Sequence, residues 1–489
     1  MHYQVILLAV AVVVCTGILR RSTLSPLRKC PGPFLASISR LWYTYINWQG
    51  TQHVVLGKLH AKYGDVVRVA PNEVHICTVE ALHAIYGPGS ACEKSDWFKV
   101  FQGNRQFDLV SERDRHKHAE HRRLVAQIYS ATSLQSQEKY IDATLKQLFS
   151  QFDRKLDQPF DISAWIQYWS FDTIGMMTFS KPFGFIKAGK DWNNALYQIR
   201  AAGDSAAWIG QNPWLYHLCQ RTLFPIFGNP FALANRNGAV REFAVTESKL
   251  RQSRGTPPQP DIMQKLIHVH DKKPQAFNDD AVQSMVATNV FGGAETTTSS
   301  IRAVIYFLLK NPTSMKKLQQ EIDQTCHEHS WPSDVPVALH LAKSMKYLQA
   351  VIYESMRLFP ANGLPLARVS PPEGMEISGY YFPPGVQLTV YSWALHRNKK
   401  LFGEDAMDFK PERWLDEERS QDLHRCFFSF GYGSRGCLGR NLAWMEMLKA
   451  ISTFFRSYDV HLQDPIADWV VGGGFIKAQT NINVVLNAR

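Results

Sequence analysis

A glycine-rich segment near the C-terminus restricts the folds open to this chain, because its glycines permit backbone conformations that other residues avoid. Residues 430–439 read Phe-Gly-Tyr-Gly-Ser-Arg-Gly-Cys-Leu-Gly, and Cys437 lies between the third and fourth glycines. The glycine spacing also matches the dinucleotide-binding fingerprint, which requires an acidic residue about 20 positions later. The nearest downstream acid, Glu446, comes too early, so the segment does not predict a dinucleotide site.

Cys437 has the sequence surroundings of a functional sulfur. Glycines let backbone N–H groups turn toward the sulfur, and a helix that begins just after it adds a partial positive charge. Arg435 adds a full positive charge two residues earlier. These features favour a thiolate, which can serve as an axial ligand of haem iron or as a nucleophile. A buried, inert cysteine is the remaining alternative.

The composition is that of a globular protein with a large core. Of the 489 residues, 45% are hydrophobic and 20% are charged. The net charge is +11, but seven lysines and arginines precede Asp65, the first acidic residue. Because much of the surplus lies in this N-terminal arm, it does not predict nucleic-acid binding. The eight cysteines show no paired spacing, which favours a reduced, cytosolic domain.

The N-terminus has the pattern of a membrane anchor. Residues 3–19 carry no charge, and this length is at the short end of what spans a bilayer. Arginines and a lysine follow at residues 20–29, which places the rest of the chain in the cytosol. We predict a transmembrane helix over residues 1–19 and a basic, proline-rich, extended linker over residues 20–33. A cleaved signal peptide is the alternative.

Residues 34–489 are predicted to form one domain of the α+β class, mainly α with small β-sheets. The long helix begins near Asn278 or Asp279 and runs to Lys310, where Asn311-Pro312 ends it. Shorter elements are a hairpin within residues 64–76, β-type runs at 375–382 and 386–393, a last helix at 442–456 and a strand at 481–486.

Residues 430–439 match every fixed position of Phe-x-x-Gly-x-Arg-x-Cys-x-Gly, the haem-binding signature of cytochrome P-450 monooxygenases. Further motifs appear in that family's order, so the chain resembles the family over nearly its whole length. The resemblance implies that Cys437 is the axial ligand of haem b. It also implies that Phe430, Arg435 and Gly439 shape the loop that binds the haem.

The long helix contains Gly292-Gly293-Ala294-Glu295-Thr296-Thr297. A glycine within a helix lowers helix stability by about 1 kcal/mol relative to alanine, so two adjacent glycines indicate a packing or functional role. The resemblance supplies one: a helix distorted over the iron to admit O2, with Glu295 and Thr296 as a proton relay. A close crossing of two helices at small residues is the alternative.

The resemblance also assigns two groups of charged residues. His118, Arg122, Arg368 and Arg435 would contact the haem propionates, although an exposed basic face also explains His118 and Arg122. Glu354 and Arg357 are three residues apart, which by itself predicts only a solvated helix pair. Together with Arg413 they match the family's buried ion network.

The resemblance therefore implies a single-pass haem-thiolate monooxygenase of the endoplasmic reticulum membrane with its catalytic domain in the cytosol. It would hydroxylate or epoxidise an apolar small molecule, and the likeness to fungal members points to secondary metabolite biosynthesis. Since the chain has no flavin or dinucleotide site, electrons would come from NADPH through a separate reductase, with a cytochrome b-type protein as a further donor. The substrate pocket is expected at residues 97–109, 208–214, 289–291, 361–366 and 471–475.

Two other functions stay open. The first is a haem-thiolate isomerase or dehydratase that works without a reductase, and the second is a non-enzymatic haem or lipid carrier on the membrane. Consumption of NADPH that depends on an added substrate distinguishes both from a monooxygenase.

Overall fold

The computed structural model describes residues 24–102, 107–227 and 260–489, together with 242–243, 245–247 and 249–251. Helices make up most of these residues and the β-sheets are small, which confirms the predicted secondary-structure class. The helices up to residue 227 are Phe34–Ile38 (α1), Leu41–Trp48 (α2), Gln52–Tyr63 (α3), Val79–Tyr86 (α4), Trp97–Gln102 (α5), Arg115–Val125 (α6), Ala131–Leu134 (α7), Glu138–Asp153 (α8), Ile162–Phe179 (α9), Phe185–Ala188 (α10), Ala195–Ile209 (α11), Pro213–Thr222 (α12) and Phe224–Phe227 (α13).

The second half of the chain contains the long central helix and the helix that follows the cysteine segment. Its helices are Ile262–Lys272 (α14), Asp279–Lys310 (α15), Pro312–Glu328 (α16), Leu339–Ser344 (α17), Lys346–Leu358 (α18), Ser392–Leu395 (α19), Lys399–Phe402 (α20), Glu417–Cys426 (α21) and Arg440–Ser457 (α22). Short 3₁₀ turns lie at Pro26–Lys29, Ala126–Tyr129, Gln135–Gln137, Trp192–Asn194, Pro411–Trp414 and Gly433–Arg435.

The strands form one mixed sheet and three smaller antiparallel ones among the described residues. The strands are Val66–Ala70 (β1), Glu73–Ile76 (β2), Glu93–Lys94 (β3), Phe160–Asp161 (β4), Arg368–Val369 (β5), Met375–Ile377 (β6), Tyr380–Phe382 (β7), Gln387–Thr389 (β8), Tyr458–Leu462 (β9), Val470–Gly472 (β10), Ala478–Thr480 (β11) and Asn483–Ala488 (β12). The mixed sheet has the order β1-β2-β8-β5-β3, in which β2 and β8 are parallel. The hairpin β1–β2 lies within the predicted range, whereas β8 covers only part of the predicted run at 386–393.

Helix α15 is the centre of the fold. Asn278 caps its N-terminus by accepting a hydrogen bond from the Ala281 N–H at 3.0 Å, and acidic residues occupy the first turn. It ends at Asn311 because Pro312 begins the next helix, as the sequence predicts. The main apolar core lies where α15 meets α8, α9, α16, α18 and α22. The central helix and the helix after the cysteine segment are therefore packed in one core.

The N-terminal segment differs from the predicted extended linker in the part that the structure describes. Pro26–Lys29 forms a 3₁₀ turn capped by Ser25, and Leu27 is buried in the core that contains β1, β2 and β8. Within the described residues, no helix has the length and apolar character needed to cross a membrane. The predicted anchor at residues 1–19 lies outside them.

Candidate active site

The segment 430–439 folds into a tight loop that leads into α22. The Cys437 N–H donates to the Phe430 carbonyl oxygen at 2.7 Å, and the Gly436 N–H donates to Gly433 at 3.0 Å. Gly431 and Gly433 have φ values of +70° and +62°. A Cβ at Gly433 would lie 2.1 Å from the Tyr86 carbonyl oxygen at the end of α4. Position 433 therefore has no room for a side chain and requires glycine, as the sequence predicts.

The Cys437 side chain is uncovered by protein on one side, although the loop encloses it on the others. Burial raises the pKa of its thiol, while the Gly439 N–H and the Arg122 and Arg440 cations lower it. The sequence predicts that Arg435 adds its positive charge at the sulfur, and this placement is wrong. The Arg435 guanidinium instead donates to backbone carbonyls, at 2.6 Å to Glu112 and 2.8 Å to Arg113.

A cavity of about 560 Å³ beside the loop collects the predicted propionate-binding side chains. His118, Arg122, Arg368 and Arg435 all line it. None of these three arginines forms an ion pair with a carboxylate within the part of the chain that the structure describes. Burial and the neighbouring cations lower the pKa of His118 to about 3, so its ring is neutral at pH 7. The cavity therefore concentrates positive charge that the surrounding protein does not balance.

Helix α15 presents Gly292 to open space, whereas a Cβ at Gly293 would lie 3.1 Å from the Ile174 side chain of α9. A Cβ added to Gly292 would have no neighbour within 4 Å, and Gly292 is exposed although Val290 and Ala294 are buried. Thr296, one turn later, is partly exposed and its hydroxyl donates to the Gly292 carbonyl oxygen at 2.7 Å. The helix is continuous from Asp279 to Lys310. The expected distortion is therefore not a break in the helix.

Glu295 faces away from the Thr296 hydroxyl. Its Oε1 accepts a hydrogen bond from Gln167 of α9 at 2.6 Å, and the side chain is buried. Burial raises the pKa of the Glu295 carboxyl, and the Arg302 cation opposes that shift. The predicted acid and alcohol are neighbours in sequence, but the structure does not bring their side chains into contact.

The three residues of the predicted ion network contact one another, and their side chains are completely buried. The Arg357 Nε lies 2.8 Å from Glu354 Oε2, and the Arg413 Nε lies 2.9 Å from Glu354 Oε1. Trp414 adds an indole N–H to Glu354 Oε2 at 2.9 Å. Arg357 also donates to the carbonyl oxygens of His396 and Ala406. The network holds α18, the Pro411–Trp414 turn and the carbonyl oxygens of residues 396–408 together.

Comparison with known proteins assigns this arrangement to a family. The family model for Cytochrome P-450 matches residues 29–484. The chain is a cytochrome P-450. It is 35% identical to the cytochrome P-450 monooxygenase hepC of Aspergillus oryzae, over 94% of this chain and 92% of that one. It is 32% identical to a pisatin demethylase of Fusarium vanettenii, over 92% and 86%, and 31% identical to the monooxygenase cicH of Emericella nidulans, over 94% and 93%.

The residues of this P-450 fit the haem with a thiolate ligand that the family implies. Haem b carries two carboxylates, and the cavity beside the loop supplies cations without protein carboxylates to pair them. Burial and the neighbouring Arg368 cation lower the pKa of the Arg435 guanidinium to about 10. A buried charge is costly unless it is paired. Cys437 would hold the iron, whose charge stabilises a thiolate in a buried site.

Two buried residues of the P-450 core escaped the sequence analysis. His396 Nε2 accepts the Phe428 N–H at 2.9 Å, just before the cysteine loop, while its carbonyl oxygen accepts from Arg357. Burial and the Arg357 cation lower the pKa of His396 to about 3, which keeps the ring neutral and able to accept. His396 thus joins the ion network to the loop. A single histidine without a spaced partner gave no signal in the sequence.

The second is Glu446 on α22, whose carboxyl lies beside the Thr297 hydroxyl of α15. Burial raises the pKa of Glu446 to about 8, so this carboxyl is mostly protonated at pH 7. Glu446 appeared in the sequence only as an acid unsuited to dinucleotide binding. Its burial between two helices is a tertiary property.

The expected substrate pocket is partly assembled. Trp97 and Phe101 of α5, Phe291 of α15 and Phe475 form a cluster of aromatic rings, and Trp208 packs against it. Gly363 of the segment 361–366 donates its N–H to the Phe475 carbonyl oxygen at 2.8 Å. The Trp214 side chain is 67% exposed at the surface, so its predicted place in the pocket is wrong. Residues 103–106 of the predicted pocket lie outside the described residues.

Proposed function

We propose that this P-450 inserts one oxygen atom from O2 into an apolar small molecule by hydroxylation or epoxidation, with electrons from NADPH through a reductase. The Cys437 thiol, uncovered at the foot of the glycine loop beside unbalanced cations, is the observation that carries the proposal. The relatives support the reaction class, and one of them is named for demethylating pisatin. Consumption of NADPH by the enzyme and a reductase, dependent on an added substrate, tests it. NADPH consumption without an oxygenated product would contradict the proposed function and leave only the assignment to the family.

Haem b would supply the oxygen and electron chemistry when bound. Cys437 would ligate its iron, and the positively charged side chains of Arg122, Arg368 and Arg435 would pair with its propionates. The remaining roles belong to the chain itself. Buried aromatic side chains exclude water from the substrate, and residues of α15 hold and deliver protons. The exposed basic residues near the cysteine loop are the proposed docking site for the reductase and for a cytochrome b-type donor.

Thr296 and Glu295 have different parts in the proposed proton delivery. The Thr296 hydroxyl is already on the open side of α15, held by the Gly292 carbonyl oxygen. Glu295 retains a proton at higher pH than an ordinary carboxyl because burial raises its pKa. It reaches the open side only by leaving Gln167, so its proton transfer requires a rotation of the side chain or an intervening water.

Replacing Thr296 with alanine is expected to keep haem binding and reductase-dependent NADPH consumption but to divert the electrons to hydrogen peroxide. Loss of a positioned proton donor typically costs 10²-fold or more in the step that it serves, so product formed per NADPH should fall by about tenfold or more. Simultaneous assays of product, NADPH and peroxide measure this coupling. Thr298→Ala is the matched control, because Thr298 lies on the same helix but is fully buried. Unchanged coupling in T296A would contradict the relay.

We also propose that the protein is attached to the endoplasmic reticulum membrane, by residues 1–19 and by an apolar surface of the catalytic domain. Leu41 and Trp48 on α2 are exposed on one helix face, and Trp214 is exposed on α12. The two helices are joined by a hydrogen bond of 2.8 Å from Asn212 to Thr44. Exposed aromatic and aliphatic side chains on adjacent helices favour the membrane interface.

A chain without residues 1–19 is therefore expected to bind vesicles weakly, and the further change Leu41→Ser, Trp48→Ser, Trp214→Ser should release it. Each lost apolar side chain removes about 1.5–3 kcal/mol of burial in the lipid interface. Co-sedimentation with phospholipid vesicles measures the bound fraction. Ile466→Ser, at an 89% exposed residue outside α2 and α12, should leave binding unchanged. If the triple variant bound vesicles as well as the chain that lacks only residues 1–19, the proposed membrane contact of this surface would be refuted.

A further inference from the structure

The aromatic cluster beside α15 has an ordered geometry. Trp97 stacks on Phe475 with ring centres 5.8 Å apart and an interplanar angle of 13°, and it stacks on Phe101 at 5.5 Å. Phe291 stacks on Phe475 at 6.1 Å with an angle of 25°. The indole N–H of Trp97 donates to the Ala206 carbonyl oxygen at 3.1 Å, which fixes the ring against α11. Several rings from three distant segments thus lie nearly parallel.

Part of this cluster is uncovered. Phe101 is buried, but Trp97, Phe291 and Phe475 are only partly buried. Phe291 directly precedes Gly292, where the structure leaves open space. Helix α11 lies close over the rings, because a Cβ at Gly203 would be 3.7 Å from Phe475 and 3.9 Å from Phe291. Helix α11 therefore contacts the rings on one side, and the parts of the rings that remain exposed offer an aromatic, apolar surface.

Thr288 supplies a polar group at the same place. It precedes Phe291 by three residues and Gly292 by four, so the three residues share one face of α15. Thr288 is partly exposed, and its hydroxyl has no hydrogen-bond partner among the described residues. The neighbouring Asn289 points elsewhere, since its Oδ1 accepts from Tyr129. The hydrophobic side chains around the rings include Val100, Ala206 and Ile209, and one carboxylate lies close by, because Asp204 Oδ1 accepts the Gly474 N–H at 2.5 Å.

We propose that the aromatic cluster and Thr288 bind an aromatic substrate that carries an oxygen substituent, an inference that rests on the proposed function. The substrate ring stacks on Phe291 and Phe475, and its hydroxyl, carbonyl or ether oxygen forms a hydrogen bond with the Thr288 hydroxyl. A hydroxyl both donates and accepts, so each of these oxygens suits it. Offset stacking adds affinity beyond the burial of apolar area. The pocket thereby selects ring shape and oxygen position separately.

Three probes of similar size separate these two features in the holoenzyme. They are 2-acetylnaphthalene, which has both, 2-isopropylnaphthalene, which lacks the oxygen, and 2-acetyldecahydronaphthalene, which lacks the aromatic ring. Dissociation constants come from equilibrium dialysis and, independently, from the shift of the Soret band. The variants are Thr288→Val, which keeps the shape of the side chain, Thr288→Ser, which restores the hydroxyl, and Phe475→Leu, with Phe291→Leu as a replacement if F475L does not fold.

T288V should weaken binding of 2-acetylnaphthalene about fivefold, the effect of one neutral hydrogen bond, and leave 2-isopropylnaphthalene unchanged. T288S should recover most of the loss. F475L should weaken both naphthalenes about tenfold and the saturated ketone much less. Equal effects of T288V on both naphthalenes would overturn the hydrogen bond, and equal effects of F475L on all probes would overturn the stacking. Failure of the proposed function shows differently, as absence of NADPH-dependent product, while dialysis still reports binding.

Discussion

Replacing Cys437 with serine is expected to abolish the red-shifted Soret band of the reduced carbon monoxide complex and all monooxygenase activity. Serine preserves the size of the side chain and the loop hydrogen bond from the Cys437 N–H to Phe430. It cannot supply the thiolate that gives haem iron its electron-rich character in this class of enzyme. The absorption spectrum of the purified, reduced protein under carbon monoxide measures the loss directly.

Cys219→Ser is the matched control for this change. Cys219 lies on α12, is partly exposed and is one of the free cysteines. Its replacement removes a thiol at a distance from the loop, so the band and the activity should stay at the level of the unmodified protein. A red-shifted band that survives in C437S would remove the ligand assignment and with it the proposed function.

Replacing Glu354 with glutamine should strongly destabilise the haem-loaded protein. The Glu354 carboxylate accepts from Arg357, Arg413 and Trp414, and its side chain is completely buried. Glutamine has nearly the same shape, but it leaves Arg357 without a negative charge and Arg413 with only Asp405, at 3.4 Å, and it turns an N–H2 group toward donors. Breaking a buried ion pair in this way costs about 3–5 kcal/mol, a large part of the stability of a typical domain.

The rate at which the red-shifted band is lost on warming measures this effect, because large proteins often unfold irreversibly. Asp422→Asn is the control, since Asp422 and Arg425 have the same i, i+3 spacing at 3.1 Å but are exposed to solvent. Exposed pairs contribute at most about 1 kcal/mol, so D422N should behave like the unmodified protein. Similar stability of E354Q and D422N would show that the network is dispensable.

The elements that the sequence located correctly are those with local causes. The ends of α15 follow from an asparagine cap and a proline, and the hairpin at Val66–Ala70 and Glu73–Ile76 follows from β-branched residues around a turn. The cysteine loop was recognisable because its glycines are required by the backbone itself. Such signals lie within a few residues of the structure that they determine, so one sequence is enough to interpret them.

Prediction from the sequence fails where distant segments meet. It placed Arg435 beside the Cys437 sulfur, but the guanidinium turns to carbonyl oxygens that lie more than 300 residues earlier in the chain. It placed Trp214 in the pocket, although the Trp214 side chain is exposed and Tyr216 is the buried residue in that part of α12. It overlooked His396 because nothing near it in sequence shows that its ring accepts the Phe428 N–H. These contacts depend on packing between elements, which residue spacing does not encode.

The near-contact between position 433 and the Tyr86 carbonyl has a consequence for recombining this chain with its relatives. The cysteine loop and the end of α4 touch backbone to backbone, with no side chain between them to absorb a mismatch. A chimaera that takes one of these segments from a different parent inherits whatever offset separates the two parental backbones. Residues 86–87 and 430–439 should therefore be exchanged as a single block, and crossover points belong outside both.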